Sequence, residues 1–193
     1  MHSDRPTARR ALILGSSSRY RRELLQRLGL PFTVESPDLD ESPLPGEAPR
    51  DLALRLALAK AHAVAARHPQ SLVIGSDQVA DLAGTPLGKP GTHEKATDQL
   101  RRMRGQEVVF QTAVAVVCHE TGFAQAELAP VRVRFRQLDD REIENYLRAE
   151  QPYDCAGSAK SEGLGIALLA SIDNDDPTAL IGLPLIRTVS LLR

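Results

Sequence analysis

Tryptophan is absent from the 193 residues, and aromatic residues make up only 4% of the chain. No excess of one charge is present either, because 24 Lys and Arg residues face 25 Asp and Glu residues and the formal net charge is −1. Proteins that bind duplex or single-stranded nucleic acid usually combine a basic excess with stacking aromatic side chains. The sequence therefore predicts no nucleic acid partner.

Cysteine and long apolar runs are also scarce. Cys118 and Cys155 lie far apart, and two cysteines in 193 residues do not make a disulfide framework or a zinc site. No apolar run approaches the ~20 residues that span a bilayer, and Ala11–Leu14 is too short for a signal peptide. We therefore expect a soluble cytoplasmic chain with no membrane partner. Residues 1–10 are predicted to form a flexible tail, and residues 11–193 a single domain of two lobes.

The order of the predicted elements indicates an α/β fold. Strand and helix patterns alternate along the first half of the chain, and two β-rich segments, Val108–Cys118 and Ala129–Phe135, then follow one another. This order is typical of an α/β protein with a mixed sheet. We also expect a loop at Gly84–Gly91, a strand at Ile166–Ile172 and a last helix over about 178–192.

Charge is unevenly placed along the chain. Residues 5–27 hold seven arginines and one acid, whereas residues 35–51 hold six acids and one arginine. A cationic segment followed by an acidic loop suits a phosphate chain that is bound by arginines and bridged by a divalent metal. Two solvated surface patches are the alternative interpretation.

The junction Gly15–Arg22 favours anion binding. A predicted strand ends there, three serines follow, and a helix begins. Free N–H groups at a helix start attract anions, the hydroxyls add donors, and arginine matches phosphate oxygens with a planar fork. The segment is not a Walker A motif, because its Gly-Lys-Ser/Thr sequence is absent.

Four further features carry candidate chemistry. Asp77 follows the apolar run Leu72–Ile74, where a carboxylate can hold a metal or deprotonate a water, or simply cap a turn. Lys60 falls within the apolar arc of a predicted helix and either extends outward or points into a cleft. Lys89 stands on a turn before a proline, and Glu162 lies in a loop of small residues that allows a ligand to approach the backbone.

The order of these segments resembles the Maf family of nucleoside triphosphate pyrophosphatases. The resemblance runs from about Ala11 to Arg193 and includes the closing Gly182-Leu183-Pro184. Within the family, the runs Ser76–Gln78 and Cys155–Gly163 are most similar to the branch that acts on 7-methyl-GTP. The other matching segments are Leu12–Arg22, Asp38–Glu41, Leu56–Ala61, Ile74–Val79, Gly88–Pro90 and Cys155–Gly165.

The resemblance implies metal-dependent hydrolysis between the α- and β-phosphates of a nucleotide, giving a nucleoside monophosphate and diphosphate. It also implies an elongated mixed sheet flanked by helices, with two lobes around a cleft, similar to inosine triphosphate pyrophosphatases. It assigns Asp77 as proton acceptor and, with Glu41, as ligand of Mg²⁺ or Mn²⁺. The implied phosphate-binding residues are Ser16, Arg21, Arg22, Lys60 and Lys89, and the implied base-selecting residues are Tyr20, Gln78 and Glu162.

The implied substrate has a physical rationale and two alternatives. Methylation at N7 makes guanine cationic, and an aromatic face such as that of Tyr20 attracts a cation. The branch often carries Trp at this position, a departure that concerns base stacking rather than the reaction. A broader or pyrimidine-preferring pyrophosphatase acting on dTTP or UTP is the first alternative. The second is a non-catalytic nucleotide-binding regulator of cell division and septum formation. The sequence leaves both a monomer and a homodimer open.

Overall fold

The computed structural model describes residues 10–193 and contains five α-helices and a seven-stranded sheet within that range. The strands are β1 (Leu12–Gly15), β2 (Thr33–Glu35), β3 (Leu72–Leu82), β4 (Thr85–Leu87), β5 (Glu107–Cys118), β6 (Phe123–Phe135) and β7 (Leu169–Asp173). The helices are α1 (Arg19–Gln26), α2 (Pro49–Ala65), α3 (His93–Met103), α4 (Asp140–Glu150) and α5 (Leu185–Leu191). No helix in the described part of the chain is long and apolar enough to cross a membrane.

The sheet is mixed, which confirms the predicted α/β fold. Its strand order is β2-β1-β3-β5-β6-β7, and β4 pairs with the distal half of β3. Strand β1 runs parallel to both β2 and β3, whereas β3, β5, β6 and β7 are joined by antiparallel pairs. Strands β5 and β6 are 12 and 13 residues long, so the sheet is elongated. Similarity to inosine triphosphate pyrophosphatases stays a prediction.

Helices cover both faces of the sheet. Helix α2 packs on one face, against side chains that include Val73 and Val79 of β3. On the other face, α1 and α5 pack over one end of the sheet through residues such as Leu24 and Leu191. Helices α3 and α4 cover the other end of that face with a cluster built around Phe110. We call these two ends the first and the second lobe.

A glycine allows α2 to lie unusually close to the centre of the sheet. A Cβ atom at Gly75 would lie 2.7 Å from the Ala61 amide nitrogen and closer still to the Ala57 carbonyl oxygen. Real Cβ atoms do not approach other atoms this closely, so only glycine fits between the strand and the helix backbone. The close packing brings the middle of α2 beside Asp77, which is the next β3 residue on the same face of the sheet as Gly75.

Three predicted element boundaries were wrong. The expected loop at Gly84–Gly91 contains β4, which turns back to pair with β3. The expected strand at Ile166–Ile172 starts only at Leu169, because residues 164–168 form a 3₁₀ turn. The expected last helix begins at Leu185, since Gly182 has a φ of 124° and a short 3₁₀ turn precedes it.

The predicted tail mostly lies outside the described residues, which begin at Arg10. Arg10 donates hydrogen bonds to the Gln70 carbonyl oxygen at 2.9 Å and to the Glu120 carboxylate at 2.6 Å. The Leu72 amide then donates to the Ala11 carbonyl oxygen. Arg10 is therefore held by the folded chain.

Candidate active site

An opening in the sheet creates a cleft. Strand β1 ends at Gly15, opposite Gly75, and β4 pairs with β3 only from Ala80 onward. Between these points, residues 76–79 of β3 have a described strand neighbour, β5, on one side only. A cleft of about 830 Å³ lies there, at the carboxyl end of the parallel strand β1. Ligands of open α/β sheets bind at such carboxyl ends.

Nine of the ten residues predicted for the site line this cleft. They are Ser16, Tyr20, Arg21, Glu41, Lys60, Asp77, Gln78, Lys89 and Glu162. Arg22 does not, and its prediction as a phosphate-binding residue is not supported. It follows Arg21 on α1 and is turned by about 100° around the helix, where it lines a separate groove with Gln26 and Leu30.

The first wall of the cleft is suited to an anion. Ser16 is buried at the end of β1, and its Oγ accepts a hydrogen bond from the Ser18 amide at 3.1 Å. Ser18 caps α1, whose first turn contains no acidic residue. Arg21 Nη1 lies 3.4 Å from Ser16 Oγ, so the guanidinium faces the same turn. The helix N-terminus, the serine hydroxyls and one arginine thus converge on one side of the cleft.

Arg21 is fixed in place by a carbonyl oxygen from a distant part of the chain. Its Nε donates to the Gly182 oxygen at 2.8 Å, and the Ser76 hydroxyl lies 2.9 Å from that same oxygen. Burial lowers the pKa of the Arg21 guanidinium, while the Asp77 and Glu41 carboxylates act in the opposite direction. The ordinary pKa of arginine is so high that the group stays charged at neutral pH. It is an oriented, permanent cation in the cleft.

A buried lysine joins two carboxylates on the opposite wall. Lys60 of α2 is only 4% exposed, and Asp77 of β3 is 6% exposed. Lys60 Nζ donates to Asp77 Oδ1 at 2.6 Å and to Glu41 Oε2 at 2.9 Å. Of the two alternatives for Lys60, the structure therefore shows the one in which the side chain points into the cleft. The ammonium brings both carboxylates to one point beside the anion-binding wall.

The loop that carries Glu41 is attached to α2 by a second ion pair. Arg55 donates to both carboxylate oxygens of Glu47, at 2.6 and 2.8 Å, and to the Ser42 carbonyl oxygen at 3.1 Å. Hydrogen bonds from Arg55 and the Leu44 amide lower the pKa of the Glu47 carboxyl to about 2. Residues 42–47 are therefore held on the helix that supplies Lys60.

Gln78 faces the other side of the sheet from Asp77, because successive strand residues alternate. Its Nε2 lies 2.9 Å from Thr112 Oγ1 and 3.0 Å from the carbonyl oxygens of Ala179 and Leu180. Carbonyl oxygens can only accept, so the amide nitrogen must face them. The side-chain oxygen of Gln78 is then the atom left to accept a hydrogen bond from a ligand.

Tyr20 and Glu162 also line the cleft. The Arg19 guanidinium lies 4.8 Å from the centroid of the Tyr20 ring, and the Lys160 ammonium lies 5.9 Å from the same centroid. Glu162 is exposed, with its carboxylate 3.5 Å from the Ser161 hydroxyl. Lys89, also exposed, lies on the rim of the cleft.

Several residues that line the cleft were not predicted as site residues. Arg19 precedes Tyr20 and adds a cation to the rim, which the arginine-rich segment could have indicated. Asp38 lines the cleft with a φ of 44°, a conformation that non-glycine residues seldom adopt and that is concentrated at functional sites. Cys155 also lines the cleft, but burial raises the pKa of its thiol to about 12, so it is not a thiolate nucleophile at neutral pH.

The predicted metal ligands, Glu41 and Asp77, are two carboxylates without a third His, Cys, Asp or Glu ligand beside them in residues 10–193. In that range, no group of three or more His, Cys, Asp or Glu side chains is placed to hold a metal ion. Glu41 and Asp77 nevertheless converge on one nitrogen atom. Mg²⁺ is often held by one or two carboxylates together with the phosphates of a substrate, and this pair fits such a shared site.

Comparisons with known proteins agree with this geometry. The profile of the family described as Maf-like protein matches residues 11–193. A 7-methyl-GTP pyrophosphatase of Polaromonas sp. is 75% identical over 97% of this chain and 85% of its own length. Proteins of the same name from Albidiferax ferrireducens and Bordetella pertussis are 69% and 62% identical. These alignments cover 95% and 94% of this chain, and 92% and 90% of the two relatives.

Proposed function

This chain belongs to the Maf-like protein family and is a nucleotide pyrophosphatase, and we propose that it hydrolyses 7-methyl-GTP to 7-methyl-GMP and diphosphate. The observation that carries the proposal is the layout of the cleft. An anion-binding wall, two carboxylates joined by the buried Lys60 and a set of hydrogen-bond acceptors line one continuous space. These features match the phosphates, the reacting bond and the base of one nucleotide.

The cationic groups of the cleft bind the phosphate chain in this proposal. Arg21 and the N-terminus of α1 supply fixed donors, and Lys89 adds an exposed cation to the lining of the cleft. Hydrolysis of a phosphoanhydride spreads negative charge over the phosphate oxygens, and preorganised cations stabilise that charge. Lys60 adds a buried ammonium next to the reacting bond.

Asp77 orients the attacking water and accepts its proton. Its carboxylate is held by Lys60 at 2.6 Å, so its position is fixed before the nucleotide binds. A carboxylate that accepts a proton from water in the transition state contributes about 10²–10⁴-fold to a rate. Glu41 shares Lys60 with Asp77 and adds a second negative charge to the same point.

Glu41 and Asp77 are the residues that would hold Mg²⁺ or Mn²⁺ between this chain and the substrate phosphates. A bound divalent cation neutralises phosphate charge and lowers the pKa of a coordinated water. Both carboxylates offer the oxygen ligands that these hard cations prefer. Metal dependence and a cytoplasmic place of action belong to this proposal.

The base end of the cleft favours guanine over pyrimidines. Guanine presents N1–H and N2–H groups as neighbouring donors, whereas uracil and thymine present a single N–H between two carbonyl oxygens. The Gln78 oxygen and the Glu162 carboxylate are both acceptors. The negative charge of Glu162 and the face of Tyr20 further favour the cation of the N7-methylated ring.

Diphosphate release over a panel of nucleotides tests the proposal. We expect kcat/KM for 7-methyl-GTP to exceed the values for GTP, UTP and dTTP. A preference for UTP or dTTP would identify a pyrimidine-preferring enzyme. Nucleotide binding without turnover, measured by calorimetry with metal present, would instead support a regulator of cell division.

A further inference from the structure

The last residue of α4 lies beneath the loop that carries Glu162. Glu150 Oε1 accepts a hydrogen bond from Lys160 Nζ at 2.7 Å, and Oε2 accepts one from the Leu164 amide, also at 2.7 Å. The Glu150 side chain is only 14% exposed, so this ion pair is well shielded from water. One carboxylate therefore holds both ends of residues 160–164, which we call the specificity loop.

The specificity loop follows the surface of Glu150 closely. A Cβ atom at Gly163 would lie 2.7 Å from Glu150 Oε2, so a larger residue at this position would push the carboxylate away from the backbone. The Lys160 amide also donates to the Tyr146 hydroxyl at 3.1 Å. Two side chains of α4 thus hold the start of the loop, and Glu150 is the α4 side chain that holds its end.

Lys160 also links the two lobes at the base end of the cleft. Its aliphatic stem extends from the specificity loop, beside the second lobe, and its ammonium lies 5.9 Å from the Tyr20 ring centroid on α1. The Glu150 hydrogen bond raises the pKa of Lys160, and the Lys160 hydrogen bond lowers that of Glu150, so both groups stay charged at neutral pH. A cation so near the binding site of a cationic base would repel it unless a carboxylate balanced its charge.

Glu162 itself has few contacts that set its direction. Its side chain is exposed, and its one hydrogen bond from a described residue comes from the adjacent Ser161 at 3.5 Å. The backbone of the specificity loop therefore determines where the Glu162 carboxylate points. Whatever holds that backbone in place controls the acceptor presented to the base.

We propose that Glu150 is a positioning residue for base selection, which holds the specificity loop so that Glu162 faces the base and which neutralises Lys160 beside Tyr20. The proposal rests on the proposed function, because it assumes that Glu162 selects the base. Glu150 does not line the cleft and has no part in the phosphate chemistry. Its loss should therefore change recognition of the base and spare hydrolysis.

Glu150→Gln is the informative change, because its amide can satisfy only one of the two donors. If the amide oxygen accepts from the Leu164 amide, the NH₂ group faces the Lys160 ammonium. If the oxygen instead accepts from Lys160, the NH₂ group faces the N–H of Leu164. Adding Lys160→Met removes this conflict, because the amide oxygen can then accept from Leu164 while the methionine packs on Tyr20. The double variant should therefore recover what the single variant loses.

The experiment measures KM and kcat for 7-methyl-GTP, GTP and UTP in Glu150→Gln, in the double variant and in Glu144→Gln. Glu144 is the matched control: it lies on α4, pairs with Arg148 at 2.6 Å and with His93 at 2.8 Å, and does not contact the specificity loop. For Glu150→Gln we expect KM for 7-methyl-GTP to rise about tenfold, the scale of one charge-assisted hydrogen bond, with kcat and the UTP constants little changed. Hydrogen exchange of the amides of residues 160–165 should quicken in this variant alone.

Each outcome decides the question. An equal rise of KM for all three nucleotides, or no recovery in the double variant, would show that Glu150 supports the fold rather than base selection. Quickened exchange in Glu144→Gln as well would assign the effect to α4 as a whole. A wild-type enzyme with no preference for 7-methyl-GTP would overturn the proposed function, and the exchange experiment would still decide whether Glu150 holds the loop.

Discussion

Replacement of Asp77 by asparagine tests the centre of the mechanism. The amide keeps the shape of the side chain and can still accept a hydrogen bond from Lys60 Nζ, which lies 2.6 Å from Oδ1. It loses the negative charge and the ability to take a proton from water. Asp77 is buried on a central strand, and the change leaves no cavity there because asparagine is the same size as aspartate.

The expected loss of kcat is about 10²-fold or more, which is the contribution of a positioned general base. The cost in stability should be much smaller. Removing one partner of a buried ion pair costs about 3–5 kcal/mol when the other charge is left alone. Lys60 keeps its contact with Glu41 at 2.9 Å and can still donate a hydrogen bond to the asparagine oxygen, so we expect about 1–3 kcal/mol, as for a hydrogen bond to a charged group.

Diphosphate release and urea denaturation measure the two effects separately. Asp81→Asn is the matched control, since Asp81 lies on the same strand and the same face and does not line the cleft. It accepts hydrogen bonds from the Gly84 amide at 2.7 Å and from Gln111 at 3.2 Å. Its replacement should leave kcat within about threefold of the wild type. If Asp77→Asn also stays within that range with an unchanged circular dichroism spectrum, Asp77 has no part in the mechanism.

Three further predictions concern the metal, the base and the packing of α2. Activity should vanish in excess EDTA and return with Mg²⁺ or Mn²⁺; full activity in the chelator would refute a site shared by Glu41 and Asp77. Glu162→Gln should lower kcat/KM for 7-methyl-GTP by roughly 10- to 150-fold and spare UTP, and an equal loss for both nucleotides would contradict base selection. Gly75→Ala should cost about 1–3 kcal/mol in the free energy of unfolding or prevent folding, because the methyl group collides with α2; an unchanged urea midpoint would count against the packing described.

The core of the site could be predicted because strand ends and charge are visible in the sequence. The apolar run Leu72–Ile74 indicates the buried strand that carries Asp77, and the arginine-rich junction locates an anion site at the start of a helix. Lys60 could be placed only as one of two alternatives, because a helical wheel gives the face of a side chain and not the direction of its terminal atom. Its burial between two carboxylates depends on the close approach of α2 to Gly75.

Two kinds of feature could not be predicted from the sequence: which side of a helix faces the cleft, and which distant segments pair with each other. Arg21 and Arg22 are equivalent in charge, and only the point at which α1 begins decides which of them faces the cleft. Strand β4 is three residues long and depends on pairing with β3, so its own sequence carries little signal. Glu150 and Lys160 are ten residues apart and read separately as surface charges, because the turn that brings them together has no regular period.

The Gly182 carbonyl oxygen ties together two walls of the cleft that come from much earlier in the chain. It accepts from Arg21, 161 positions away, and lies 2.9 Å from the Ser76 hydroxyl, 106 positions away. A ribosome makes these partners long before it makes Gly182. A nascent chain that has emerged only as far as α4 would carry Arg21 and Asp77 but lack the oxygen that orients the guanidinium. The site is thus completed only once Gly182 has been synthesised, so premature termination before this residue removes a structural support of the substrate site as well as α5.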